Sequence, residues 1–82
     1  MRTEKAVKMA SRLYECRDTA RNLLGAHYQR DMELWGIAIH DQADADNCSE
    51  LAAATKMAKD TNGFGMIIIL AAYVEMVEPS NA

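Results

Sequence analysis

Asn62-Gly63-Phe64-Gly65-Met66-Ile67-Ile68-Ile69-Leu70-Ala71-Ala72-Tyr73-Val74-Glu75-Met76-Val77-Glu78-Pro79 is the stretch whose reading decides the fold. From Met66 to Val77 it carries a single charge, Glu75, so the rest of the chain must wrap around it. It is too short for a bilayer span, which needs roughly 20 apolar residues. Periodicity alone does not separate helix from strand in so short a run. Ile67-Ile68-Ile69 favours a strand, because stiff β-branched side chains pack well on a pleat. Leu70 to Met76 favours a helix, being rich in good helix formers. Met66, Leu70, Tyr73 and Val77 also fall on one helical stripe. A lone strand would have to pair with another chain to satisfy its backbone. The stretch therefore reads as a central, almost fully buried helix, ended by Pro79.

Eighty-two residues make one domain. A chain this small buries only about 60% of its unfolded surface, and oligomerisation is a usual source of extra stability. Cys16 and Cys48 are too few for a disulfide framework, and Met-Arg-Thr-Glu-Lys shows no signal-peptide core. A cytoplasmic chain with reduced thiols is the expectation. The net charge of −3 is unevenly spread: residues 1–30 hold seven basic and three acidic side chains, a net of +4. Residues 31–82 hold two basic and nine acidic ones, a net of −7. The two halves should attract each other, within one molecule or across a dimer.

Outward from the buried stretch, three helices are expected, over about residues 3–39, 48–60 and 65–78. Thr3 suits the first N-cap. Met9, Leu13, Cys16, Ala20, Leu23, His27, Leu34 and Ala38 keep a three-and-four spacing, the seam of a helix that packs on helices, with Arg30 interrupting it. Ala10, Tyr14, Tyr28 and Trp35 form a second apolar edge. Gly25 and Gly36 lie inside the pattern with no breaker after them, which predicts a kink rather than a turn. His40 to Asn47 has no apolar period and reads as an acidic connection. Asn47 with Glu50 resembles a capping box. Leu51, Ala54, Met57 and Ala58 give the second helix its stripe, and Gly63 supplies the left-handed residue that ends it. The fold class is all-α: a small bundle with a long N-terminal helix, two shorter helices with the last buried, and a homodimer formed through the first helix.

No specific catalytic motif is present. Cys16, His27, His40 and Cys48 lack the close pairs of a zinc site. Asp41, Asp44 and Asp46 suit a hard cation by chemistry but not by the twelve-residue calcium-loop pattern. They read as a solvated acidic segment, with no metal or cofactor expected. His40-Asp41 matches the dipeptide of HD phosphohydrolases, an accidental match without that family's further ligands. Glu15, Asp18, Asp41 and Asp44 resemble the acidic pairs of MazG-like all-α nucleotide pyrophosphatases, which are small, dimeric and Mg²⁺-dependent. The paired-glutamate motif of that family is absent. Lys5, Lys8 and Arg12 form a basic stripe, but the acidic total opposes nucleic-acid binding, which draws on clustered Lys and Arg.

The favoured reading is a non-enzymatic protein-protein interaction protein. Its expected partner-binding residues are Lys8, Arg12, Tyr14, Tyr28, Trp35, Asp41, Asp44 and Asp46, since aromatic side chains flanked by arginines are typical binding hot spots. In size and style the chain is similar to phage and mobile-element accessory proteins, including anti-CRISPR inhibitors of host complexes. The pyrophosphatase and a purely structural dimer are the alternatives.

Overall fold

Among the described residues the chain forms four helices and one short 3-10 turn, and the reasons for their limits lie in a few residues. The computed structural model describes residues 4–61 and 63–79, with side chains from residue 12 onward. Thr3 and the side chains of Lys5, Lys8, Met9 and Ala10 lie outside the described residues. Helix α1 spans Glu4–Leu24, a 3-10 turn spans Gly25–His27, and α2 spans Tyr28–Asp46. Helices α3 and α4 span Glu50–Lys59 and Phe64–Val77. Among the described residues the fold is all-helical, with no strand.

Gly25 has φ +54, so α1 ends on a left-handed glycine and the chain restarts as α2. The segment expected as one helix to Ile39 is thus two, and the second runs on to Asp46. The acidic residues 41, 44 and 46 are helical rather than part of a connection. Asn47 stops α2 in the left-handed conformation, φ 53, and its N–H bonds back to α2 carbonyls. The capping role expected of Asn47 belongs instead to Ser49, whose hydroxyl accepts from the Ala52 N–H at 3.0 Å. Gly63, φ +66, precedes α4, and Pro79 holds Glu78 extended so that α4 stops at Val77.

Helix α4 is the hub. It packs on α1, α2 and α3, whereas α1 and α3 do not meet among the described residues. Every residue from Ile67 to Met76 is buried or half-buried, while Phe64, Met66 and Val77 at its ends are exposed. The deepest positions are Ile69, Ala71, Ala72 and Val74, not the stripe through Met66, Leu70, Tyr73 and Val77. The core is dominated by alanine: Ala43 from α2, Ala53, Ala54 and Ala58 from α3, Ala71 and Ala72 from α4. Small side chains let helix backbones approach closely, and they leave Ile39 and Ile69 as the largest fully buried side chains.

The turn at Gly25 also changes which face looks inward. In α2 the buried residues are Tyr28, Met32, Ile39 and Ala43, with Trp35 packed against them. The edge through Tyr28 and Trp35 therefore faces the core. The expected seam is half-buried or buried at Cys16 and Ala20, but at His27 and Leu34 it points to solvent.

Two glycines in this region should respond to alanine in opposite ways. At Gly25 a Cβ meets nothing within 4 Å but must adopt positive φ, so Gly25→Ala should cost about 1 kcal/mol. At Gly36, inside α2, a Cβ sits 3.5 Å from Met76 Cγ, an ordinary contact. Gly36→Ala should stabilise by about 0.5–1 kcal/mol through lost unfolded-state entropy. Thermal unfolding midpoints of the two variants, one below and one above wild type, check both signs.

Candidate functional site

The basic first half and the acidic second half meet along the α1–α4 seam. The Tyr28 hydroxyl donates to Glu75, which is also paired with Arg21 at 3.6 Å. The Arg21 guanidinium lies over the Tyr28 ring, 5.0 Å from its centroid. One turn towards the start of α1 the arrangement recurs: Tyr14 donates to Glu78, Arg17 Nη1 donates to the Glu78 carbonyl at 2.8 Å, and Arg17 lies over Tyr14. Burial, then the hydrogen bond to Glu75, pushes the Tyr28 hydroxyl up to about 12. The hydrogen bond to Glu78 raises that of Tyr14. These contacts are intramolecular. They tie α1 onto α4 and give the charge asymmetry a structural purpose.

The opposite side of α2 meets the start of α3. His40 Nδ1 lies 3.0 Å from Glu50, and Nε2 lies 3.9 Å from Asp44. The hydrogen bond to Glu50, then the charge of Asp44, raises the His40 pKa above its ordinary 6.5. A histidine raised on folding contributes stability in full below 6.5 and loses it as pH rises through the raised value. Thermal midpoints should therefore fall between pH 6 and pH 8.5 more in wild type than in His40→Gln. Beside this corner, Asp46 accepts from Gln42 at 2.7 Å and pairs with Lys56 at 3.4 Å. The Gln42 hydrogen bond, ahead of Lys56, lowers its pKa.

Between α2 and the C-terminal part of α4 runs an open groove of about 590 Å³. Gly36 and Ile37 of α2 and Met76 of α4 line it with apolar groups, above the buried Met32 and Ala72. Glu33, His40, Glu50 and Glu75 bring polar and charged groups to it. Gly36 opens the groove, because it presents no side chain towards Met76. Ile37 stands at its edge with 59% of its surface exposed, a large aliphatic side chain left to solvent.

The residues expected to bind a partner are not gathered in this groove. Tyr28 is 6% exposed, and Trp35 is half-buried against the core. Tyr14 is exposed, with its hydroxyl bonded to Glu78. Arg12 is exposed on α1, and the Lys8 side chain lies outside the described residues. Asp41, Asp44 and Asp46 are exposed on the last turns of α2. Sequence periodicity gave Met32, Glu33, Gly36, Ile37 and Met76 no role in binding. The available signal was Gly36 within a helix, one turn from Met32.

Among the described residues no group of three or more His, Cys, Asp or Glu side chains is placed to hold a metal ion. Cys16 is half-buried, which raises its thiol, and Cys48 is exposed. No described helix is long and apolar enough to cross a membrane. Compared with protein-family models, curated proteins and solved structures, the chain has no significant match in any of the three.

Proposed function

We propose that this chain is a non-enzymatic interaction protein whose α2–α4 groove receives a helix of a protein partner. The observation that carries the reading is the groove itself, with half-buried Gly36 and Met76 over the buried Met32 and Ala72, beside an exposed Ile37. Its volume falls in the ordinary range of binding clefts, about 300–1,000 Å³. Amphipathic helices bind such surfaces by inserting a row of apolar side chains. The half-buried Met76 allows repacking around the incoming residues. The rim carboxylates Glu33 and Glu50 favour a helix with basic flanks, through complementary charge. Occupying a surface in this way is also how an accessory protein would inhibit a larger host complex.

The test is retention of partners from a lysate by immobilised protein, compared between wild type and two groove variants. Glu33→Arg reverses an exposed rim charge, and Gly36→Gln fills the groove while favouring the helix. A stoichiometric partner held by wild type and by Arg12→Ala, but weakened about tenfold or more by both groove variants, is the expected result. Equal retention by all four proteins, or no retained protein, would remove the groove from the account.

A further inference from the structure

Six exposed residues of the α2 region stand in a three-and-four rhythm: His27, Arg30, Leu34, Ile37, Asp41 and Asp44. At about 100° per residue they share one face, on the side of the helix away from Tyr28, Met32, Ile39 and Ala43. Two large aliphatic side chains sit at its centre, Leu34 57% and Ile37 59% exposed. A solvent-facing stripe does not need them. Basic groups lie on the N-terminal side and carboxylates on the C-terminal side. The order is symmetric about the midpoint between Leu34 and Ile37, with Arg30 and Asp41 as opposite charges at equal distances from it and His27 and Asp44 equally placed further out.

That symmetry has a geometric meaning. In a two-fold interface the same patch contacts itself, so a residue meets the one placed equally far on the other side of the axis. We propose that a second copy of this chain docks antiparallel on this face, α2 against α2. Leu34 then meets Ile37 of the second copy, Arg30 meets Asp41 of the second copy, and His27 meets Asp44 of the second copy. Each contact occurs twice. Parallel docking would set Arg30 beside Arg30 and Asp41 beside Asp41. Charge therefore selects the antiparallel register as the apolar centre supplies attraction. Among the described residues Arg30 is paired with its neighbour Asp31, through Nε at 3.5 Å, and two-thirds of its side chain is exposed, so the fork has donors to offer a second partner. A two-helix contact lies at the small end of stable interfaces, and the expected association is weak, on the order of micromolar. Ile37 also stands at the groove edge, but Arg30, Leu34 and Asp41 lie outside the groove lining, so variants at these three positions test this proposal without altering the groove.

Sedimentation equilibrium over about 10–500 µM, which brackets a micromolar dissociation constant, reads the outcome directly. Wild type is expected to move from the 9.1 kDa monomer towards twice that mass. Leu34→Asp should abolish the shift. Arg30→Asp and Asp41→Arg should each weaken it about tenfold or more, because each places like charges opposite one another at two points. The decisive sample is a mixture of these two single variants. Across that mixed pair every acidic group faces a basic one, so the heterodimer should form about as well as wild type, and the double variant should self-associate again. Monomeric wild type over the whole range would overturn the proposal. So would dimers indifferent to Leu34→Asp, or a mixture no better than its components. All three positions, Arg30, Leu34 and Asp41, are exposed in a helix, and unchanged thermal unfolding of the dilute variants controls for folding.

Discussion

Ile69→Ala should lower the unfolding free energy by about 3–4 kcal/mol, the upper middle of the range for buried Ile and Leu truncations. Ile69 is 1% exposed and stands where α4 meets its neighbours. The surrounding core is mostly alanine, which has no side-chain freedom with which to close the cavity. A domain of this length has a total stability of only about 4–12 kcal/mol, so the loss is a large share of the whole. The thermal midpoint should fall by roughly 12–25 °C. Ile39→Ala, at the matching fully buried position on α2, should behave alike. Exposed Ile37→Ala, in dilute solution, should change stability by less than about 0.5 kcal/mol. Urea unfolding of the three variants gives the comparison, and similar losses at positions 37 and 69 would show that α4 is not the hub described.

The second large effect comes from enlarging the core instead of emptying it. Ala54 is fully buried on α3 within the alanine cluster. Ala54→Leu adds apolar volume and keeps a good helix former, so propensity and hydropathy both predict little harm. Close helix packing predicts the reverse: a cost of about 2–3 kcal/mol, as the larger side chain forces α3 away from its neighbours. Ala52→Leu, one helical turn from Lys56 and exposed, should be close to neutral. Unfolding midpoints of the two leucine variants separate packing from composition. A neutral Ala54→Leu would mean that the helices are less closely packed than the buried alanines imply.

The helical class and the central place of residues 64–77 are legible in the sequence because one segment is apolar on every side and too short for a membrane. Its inward face is not legible for the same reason: with Met66, Ile69, Leu70, Tyr73 and Val74 all apolar, hydropathy does not choose between them. The end of α1 depends on a backbone angle. Gly25 offers positive φ but does not demand it, and Gly36, the same residue type, is helical. The acidic run from Asp41 to Asp46 lacks apolar period yet is helical, since exposed turns need none once Ile39 and Ala43 anchor the inner face. Tyr14 and Tyr28 beside arginines read as a binding edge, whereas the partners of both hydroxyls are Glu75 and Glu78, some 47 and 64 residues away in the chain. Such long-range pairing has no local signature. The groove escapes sequence reading likewise, because it exists only where Gly36 of one helix faces Met76 of another.

The most direct measurement of the functional account is backbone amide NMR of this chain as the partner retained in the capture experiment is added. Signals of Met32, Glu33, Gly36, Ile37, Ala72 and Met76 should shift, while those around Arg12 and Tyr14 stay in place. Shifts concentrated on α1, with the groove residues unmoved, would contradict it.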